Sequence, residues 1–249
     1  MALVTGAGSP DGIGFAAALL LGELGAAIAV TSTTARITDR VAELRAAGIS
    51  ASGHIADLTQ EDEAARLVSE VLAAHGALDI VVNNAGMVSV GSDTESGSLL
   101  GMDLVTWRAG IARNLDTAFL VCRAAVPHLI ARQWGRIVNV SSVTGPVMAT
   151  RDESAYATAK AGMDGLMRSV AIDFAADGVT ANSVAPGWIA TGSQTPHEHA
   201  QGLRTPLGRS ATPQEVASAV AWLCTPGAAY VTGQCIVVDG GNSIAEERA

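Results

Sequence analysis

The feature that most constrains the fold is an alternation of short apolar runs with longer amphipathic segments along the whole chain. Each run has the length and the Val, Ile and Ala content of a buried strand, and the segments between runs carry apolar residues at helical spacing. Strands that alternate with helices pair in parallel. We therefore predict a single α/β domain over residues 1–249, a doubly wound parallel sheet with helices on both faces. The predicted strands are Ala2–Thr5, Ala27–Thr31, Ser52–Ile55, Ile80–Asn83, Arg136–Ser141, Thr180–Ala185 and Gln234–Val238.

Two helix starts carry capping patterns. Thr59 is predicted to cap one helix, with Asp62 at its third position. The stretch from Thr212 to Glu215 is a capping box with proline at the first helical position, and it predicts a helix that continues through Val216–Leu223.

Composition excludes several classes of protein. The chain is 49% hydrophobic with a formal net charge of −9, which argues against a disordered chain and against binding to nucleic acid or an anionic membrane. Cys122, Cys224 and Cys235 are odd in number and lack C-x-x-C spacing, so neither a disulfide framework nor a zinc site is expected. The early apolar stretch Ile13–Val30 contains Gly22, Glu23 and Gly25 and is not preceded by a basic segment. We predict a cytoplasmic protein without a membrane span.

A glycine-rich turn follows the first predicted strand. Gly6, Gly12 and Gly14 lie between that strand and an Ala/Leu-rich helix that begins near Ile13. In this context the backbone amides and the helix dipole hold a pyrophosphate, so the turn predicts a dinucleotide site. Glycine spacing alone is weak evidence, because a chain rich in Gly and Ala produces such patterns by chance.

The end of the second predicted strand bears on the choice of cofactor. An acidic residue there would bind the ribose 2′-hydroxyl of NAD, but the chain has Thr31, Ser32 and Thr33, with Arg36 nearby. Hydroxyls and a guanidinium suit a 2′-phosphate, which favours NADP(H). Asp11 in the glycine turn argues the other way, and NAD(H) stays open.

A tyrosine and a lysine are placed for proton transfer. Tyr156 and Lys160 stand four residues apart on a predicted helix, where an ammonium lowers the pKa of a phenol from its usual ~10. Many helices contain such a pair, and alone it predicts nothing. The preceding strand, however, ends at Ser141 and Ser142, and either hydroxyl could bond a substrate carbonyl oxygen.

A set of short motifs stands in order along the chain. They are Thr5-Gly6, Gly12-x-Gly14, Asn83-Asn84-Ala85-Gly86, Asn114, Ser142, Tyr156-x-x-x-Lys160, Pro186-Gly187 and Asp239-Gly240-Gly241. Each motif is weak alone, but together and in order they are highly specific. The set resembles the short-chain dehydrogenase/reductase family, and most closely its 3-oxoacyl-acyl-carrier-protein reductase branch. The resemblance runs from about Ala2 to Asn242 and implies a Rossmann fold.

The resemblance implies four catalytic residues. Tyr156 would be the general acid in reduction and the base in oxidation, and Lys160 would lower its pKa and bind the nicotinamide ribose. Ser142, favoured over Ser141 by its Ser-Val-x-Gly context, would orient the carbonyl. Asn114 would support a water that links Lys160 to solvent. The Tyr-to-Lys spacing matches carbonyl reduction in this family rather than enoyl reduction.

Cofactor contacts follow from the glycine turn and from the resemblance. The resemblance assigns Asp57 to the adenine, Asn83, Ala85 and Gly86 to the cofactor wall, and Ile189 and Thr191 to the nicotinamide carboxamide. It also implies a homotetramer with the Tyr156 helix at a subunit interface. The full predicted set is Gly6, Gly12, Ile13, Gly14, Thr31, Ser32, Thr33, Arg36, Asp57, Asn83, Ala85, Gly86, Tyr156, Lys160, Pro186, Gly187, Ile189 and Thr191.

The substrate is the least determined part of the prediction. The glycine turn is longer than usual for the family, the Asn84–Asn114 interval is longer and the Pro186–Pro206 loop is shorter. The loops Met87–Gly101 and Ala190–Gly208 are expected to wall the pocket.

Three functions are therefore weighed. The first is NADP(H)-linked reduction of a 3-oxoacyl thioester or other ketone, and the second is NAD-dependent oxidation of a sugar, steroid or other secondary alcohol. The third is a non-catalytic cofactor-binding regulator, against which the complete catalytic set speaks. His197-Glu198-His199 is interpreted as a solvated part of the second loop, and no metal site is predicted.

Overall fold

The fold is a seven-stranded parallel sheet with helices on both faces, as predicted. A computed structural model describes residues 1–86 and 97–246. All seven predicted strands are confirmed, with ends that differ by at most one residue. The strands are β1 (Ala2–Val4), β2 (Ile28–Ser32), β3 (Ala51–Ile55), β4 (Ile80–Asn83), β5 (Gly135–Val140), β6 (Val179–Pro186) and β7 (Cys235–Val238). In the described residues the strand order is β3-β2-β1-β4-β5-β6-β7, and every pairing is parallel.

Helices connect successive strands and return the chain across the sheet. The order reverses between β1 and β4, and clefts at such a reversal, outside the carboxyl ends of the strands, bind ligands in sheets of this kind. The helices are α1 (Ile13–Glu23), α2 (Ile37–Ala46), α3 (Glu61–His75), α4 (Leu104–Ile111), α5 (Thr117–Ala131), α6 (Ser154–Phe174), α7 (Pro196–Gly202) and α8 (Pro213–Leu223). A π-helical turn, Ala112–Asp116, joins α4 to α5.

Two hydrophobic cores lie on opposite faces of the sheet. Successive side chains of a strand point to opposite faces, so Val4 enters one core and Leu3 the other. The first core includes Phe15 of α1 and Val220 of α8, and the second includes α3, α5 and α6. Burial on both faces explains why central strands such as β1 and β4 read as apolar runs, whereas the edge strand β3 contains polar and exposed residues.

One of the two capping predictions is confirmed and the other is wrong. Thr212 accepts a hydrogen bond from the amide of Glu215 while the Glu215 side chain bonds back to the Thr212 amide, which completes the capping box. The helix predicted to start at Thr59 has Gln60 as its N-cap. The Thr59 hydroxyl instead donates to Asp57 Oδ1 at 2.7 Å, because a short polar turn satisfies it locally.

The two predicted pocket loops differ in the structure. Most of Met87–Gly101 lies outside the described residues. The stretch Ala190–Gly208 contains α7, a helix that the sequence interpretation missed. Its start, Thr195-Pro196 followed by Glu198, is a second capping box with the pattern of Thr212, so that signal could have predicted the helix. Among the described helices, none is both long and apolar enough to cross a membrane.

Candidate active site

The glycine turn is fastened to the end of β4 at the point where the strand order reverses. The Thr5 hydroxyl accepts hydrogen bonds from the amides of Asn84, at 3.0 Å, and Ala85, at 2.9 Å. The Asn84 side chain donates to the carbonyls of Thr5 and Gly6, both at 3.0 Å. Gly6 has a φ of +67°, and a Cβ there would lie 2.7 Å from Ala85 Cα, so only glycine fits.

The start of α1 has the features of a phosphate site. Gly12 is its N-cap, no side chain caps it, and the first turn contains no acidic residue. Ile13 and Gly14 are its first two residues. A Cβ on Gly14 would overlap the Asn84 amide and lie 2.9 Å from the Gly6 carbonyl oxygen, so glycine allows α1 to approach the turn. The backbone amides and dipole of α1 therefore suit a pyrophosphate, and the residues present fit a dinucleotide.

The residues that the sequence predicts near the adenosine ribose lie together at the end of β2. Thr31 is fully buried, and its hydroxyl has no hydrogen-bond partner among the described residues. Ser32 uses its hydroxyl locally, donating to Thr34 O at 2.8 Å. Thr33 and Arg36 are exposed, and a Cβ on Gly8 would lie 2.5 Å from Arg36 Nε. The Arg36 guanidinium thus packs across the glycine turn.

Asp57 and Asn83 occupy different environments. Asp57 is exposed beyond β3, and its carboxylate is hydrogen-bonded by Thr59. Asn83 is buried at the end of β4, where its amide donates to Asn139 Oδ1 at 2.9 Å and contacts the Cys122 sulfur at 3.2 Å. The Asn83 side chain is therefore engaged inside the protein, which leaves its backbone as the part that could contact a cofactor.

The serine predicted to be catalytic lies next to Tyr156. Ser142 follows β5 and lies close enough to Tyr156 for its hydroxyl to lower the pKa of the phenol. The neighbouring Ser141 hydroxyl donates to the Lys160 carbonyl oxygen at 3.2 Å and so fastens α6 to the sheet. Of the two serines that the sequence left in competition, geometry favours Ser142.

Lys160 is buried beside the tyrosine. Its Nζ donates to the Val140 carbonyl at 3.0 Å and lies 5.6 Å from the centre of the Tyr156 ring. Burial lowers the Lys160 pKa to about 8, and the nearby Asp164 carboxylate opposes that shift. A Cβ on Gly86 would lie 3.4 Å from Lys160 Nζ, so Gly86 forms a wall of the ammonium's pocket.

The pKa of Tyr156 moves against the sequence-based expectation. Burial raises the pKa of Tyr156 above its ordinary value, the nearby Ser142 hydroxyl opposes that rise, and the negative charges of Glu153 and Glu198 add to it. The sequence predicted that Lys160 lowers the pKa of Tyr156. In the chain without a bound cofactor the pKa is raised instead, because the loss of hydration of the phenol dominates. The sequence analysis assigned neither glutamate to the site, because their approach to Tyr156 depends on the fold.

Asn114 lies in the π-helical turn between α4 and α5. Its Nδ2 donates to the Gly110 carbonyl at 3.2 Å, and a Cβ on Gly86 would lie 2.9 Å from its Oδ1. A π turn interrupts the regular pairing of backbone groups and is often found at functional sites. Through Gly86, Asn114 and Lys160 border the same small space.

The end of β6 places the remaining predicted contacts. Pro186 ends the strand, and a Cβ on Gly187 would lie 2.7 Å from Asp239 Cβ, which explains the glycine. Ile189 forms a single bridge with Ala211, and the Thr191 hydroxyl lies 3.1 Å from Ser193 Oγ. These residues lead directly into the loop that carries α7.

Comparison with known proteins decides the family. Residues 6–243 match a family model described as "Enoyl-(Acyl carrier protein) reductase". The chain is 39% identical over 245 residues to cis-4-hydroxycyclohexanecarboxylate dehydrogenase from Sinomonas cyclohexanicum, covering 97% of this chain and 95% of that protein. The chain belongs to the short-chain dehydrogenase/reductase family. It is an oxidoreductase that acts on carbonyl or alcohol groups.

Other members of the short-chain dehydrogenase/reductase family agree in sequence and in fold. A 3-oxoacyl-[acyl-carrier-protein] reductase from a Synechocystis strain is 40% identical over 248 residues, covering 97% of this chain and 96% of that protein. The crystal structure of acetoin dehydrogenase from Salmonella typhimurium matches with a TM-score of 0.87 at 33% identity, covering 99% of this chain and 98% of that chain. The predicted family and Rossmann fold are confirmed.

Proposed function

We propose that this short-chain dehydrogenase/reductase interconverts a ketone and a secondary alcohol with NADP(H), using Tyr156 as its proton donor and acceptor. One observation carries the proposal: Lys160 is buried beside the Tyr156 ring, with its Nζ 5.6 Å from the ring centre, and the Ser142 hydroxyl adjoins the same phenol. A phenol, a hydroxyl and an ammonium that converge in this way provide the proton and the polarising groups that carbonyl reduction needs.

Each side chain has a separate task. A bound nicotinamide supplies the hydride in reduction and accepts it in oxidation. The Tyr156 hydroxyl gives its proton to the carbonyl oxygen in reduction and removes the hydroxyl proton in oxidation, while Ser142 orients that oxygen. Lys160 stabilises the phenolate by its charge. Asn114, which borders the ammonium pocket, supports the route by which a proton reaches Lys160 from solvent.

The preference for NADP(H) rests on the end of β2. Arg36 lies across the glycine turn, and no carboxylate follows the strand directly. A guanidinium stabilises a phosphate by charge-assisted hydrogen bonds. The Asp11 carboxylate, which argued for NAD(H), is directed at the pocket loop instead: a Cβ on Gly192 would lie 3.3 Å from its Oδ2.

Two substrate classes compete. The relatives include 3-oxoacyl-[acyl-carrier-protein] reductases and two dehydrogenases named for cyclic alcohols, cis-4-hydroxycyclohexanecarboxylate dehydrogenase and cyclohexanol dehydrogenase. Between ketone reduction and oxidation of a secondary alcohol, we propose that the substrate is a β-ketoacyl thioester or a simple ketone. Because Tyr156 and Lys160 have the spacing of the carbonyl-reducing members, reduction of an enoyl thioester is disfavoured even though the matching family model bears that description.

A substrate panel tests the proposal. The purified protein is assayed with a β-ketoacyl thioester, an enoyl thioester, cyclohexanone, cyclohexanol and a sugar alcohol, each with NADP(H) and with NAD(H). We expect turnover of a ketone or its alcohol and a higher kcat/KM with NADP(H). Equal or better rates with NAD(H) would reject the cofactor assignment, and turnover of the enoyl thioester alone would reject the carbonyl chemistry.

Assembly and location complete the proposal. We place the enzyme in the cytoplasm as a homotetramer, with α6 at a subunit interface. In support, Ile172 near the end of α6 is 79% exposed in the single chain. Cys122, Cys224 and Cys235 form no disulfide within the described residues, which suits a reducing compartment.

A further inference from the structure

A polar cluster far from the proposed active site joins the edge strand β3 to the end of α3. Ser52 Oγ lies 3.0 Å from His54 Nε2 and 2.8 Å from His75 Nε2. Two imidazole nitrogens therefore face a single oxygen atom and are no more than about 6 Å apart. Since β3 pairs only with β2 in the described sheet, the cluster is at the sheet's outer edge.

Glu70 sets the tautomer of the neutral His54 ring. Its Oε2 lies 3.0 Å from His54 Nδ1, and Arg66 Nη1 donates to its other oxygen at 2.7 Å. An ionised carboxylate only accepts hydrogen bonds, so in the neutral ring the proton is on Nδ1 and the lone pair on Nε2 faces Ser52. A carboxylate that binds one imidazole nitrogen and leaves the other as a ligand atom is the arrangement that orients metal-ligating histidines.

We propose that His54 and His75 bind one divalent transition-metal ion through their Nε2 atoms. Imidazole is a good ligand for Zn²⁺, Ni²⁺ and Cu²⁺. The ion would replace the two hydrogen bonds to Ser52, and the Ser52 hydroxyl or water would complete its coordination. His75 would then carry its ring proton on Nδ1. Glu70 would remain outside the coordination shell and hold His54 in place.

The composition of the site limits its strength. Structural zinc sites use four protein ligands, and within the described residues no three His, Cys, Asp or Glu side chains gather around one point. The ion is therefore held reversibly, and it ties β3 to α3 only in the folded protein. The histidines are far apart in the sequence, which is why motif spacing predicts no metal here. The site is independent of the proposed function.

Calorimetric titration of the tag-free, chelator-treated protein with Zn²⁺, repeated with Ni²⁺, tests the site directly. We expect one saturable site per chain and a higher unfolding temperature with the ion present. His54→Gln and His75→Gln should each abolish binding. Glu70→Gln should weaken it by about tenfold, because it removes only the group that orients His54. The matched control, His197→Gln combined with His199→Gln, should bind like the wild type.

Three outcomes would overturn the site. They are no saturable binding to the folded wild type, unchanged binding in either folded single histidine variant, and binding that is lost only in the His197 and His199 control. Circular dichroism establishes that each variant is folded. If His54→Gln fails to fold, His75→Gln decides alone, because that residue ends α3 and its loss leaves the sheet intact.

Discussion

Substitution of Gly145 tests whether close contact between the loop after β5 and α6 sets the site. Gly145 has a φ of +114°, and a Cβ there would overlap the Ala157 carbonyl oxygen and lie 3.0 Å from the Ala161 amide nitrogen. Both atoms belong to the backbone of α6, so neither can move without the helix. Gly145→Ala should therefore separate the segment that carries Ser142 from the helix that carries Tyr156.

The expected magnitude combines two costs. Overpacking of a tight contact costs roughly 1–3 kcal/mol, and a Cβ in this backbone region adds about 1–2 kcal/mol. We expect Gly145→Ala to lower the free energy of unfolding by about 2–5 kcal/mol in urea titrations. The kcat of the protein that remains folded should fall by about tenfold or more. A displacement near 1 Å at a catalytic group can lower the rate by about a hundredfold.

Two alanine variants serve as controls. Gly178 has a φ of +77°, and a Cβ there would overlap the Gln133 carbonyl oxygen, far from the site. Gly178→Ala should lose comparable stability and keep its kcat. Gly165 on α6 has open space around its Cβ position, so Gly165→Ala should gain up to about 1 kcal/mol. Wild-type kcat in Gly145→Ala, or an equal loss of kcat in Gly178→Ala, would show that the contact between Gly145 and α6 does not set the site.

Three further expectations follow. Because Lys160 has a pKa of about 8 when folded against an ordinary value of 10.5, the unfolded chain binds more protons between these values, and stability should rise with pH there. Methionine does not titrate, so the comparison is the free energy of unfolding of the wild type minus that of Lys160→Met. In urea titrations this difference should rise with pH by at most about 3 kcal/mol, and a difference that falls with pH would contradict the prediction. Arg36→Gln should raise KM for NADPH and leave KM for NADH unchanged, whereas Arg123→Gln, on the surface beside Glu61, should change neither; a parallel rise for both cofactors would disprove the phosphate contact. Light scattering should give four times the 25.2 kDa chain mass, and a monomer would rule out the tetramer.

Local sequence signals were enough to predict the sheet. Most of the strands are apolar runs, and glycine at positions 6 and 14 followed from where the backbone must turn or approach closely. The Thr212 capping box was predictable for the same reason, since its contacts span three residues. The start of α3 was predicted wrongly, because the Thr59 hydroxyl bonds Asp57 instead of capping the helix.

Properties that depend on burial or on distant residues could not be predicted. The spacing of Tyr156 and Lys160 is visible in the sequence, but the loss of hydration that raises the pKa of Tyr156 comes from the packed fold. The π turn at Asn114 has no sequence signature that we recognised. The meeting of His54 and His75 at Ser52 joins a strand to the far end of the next helix, beyond the reach of any local pattern.

The most direct test of the central claim is the turnover of Tyr156→Phe. The substitution removes the phenolic hydroxyl beside Ser142 while it keeps the ring beside Lys160. On the best ketone from the panel we expect kcat to fall by about a hundredfold or more, with cofactor affinity and unfolding temperature close to those of the wild type. A kcat that stays at the wild-type value would contradict the account.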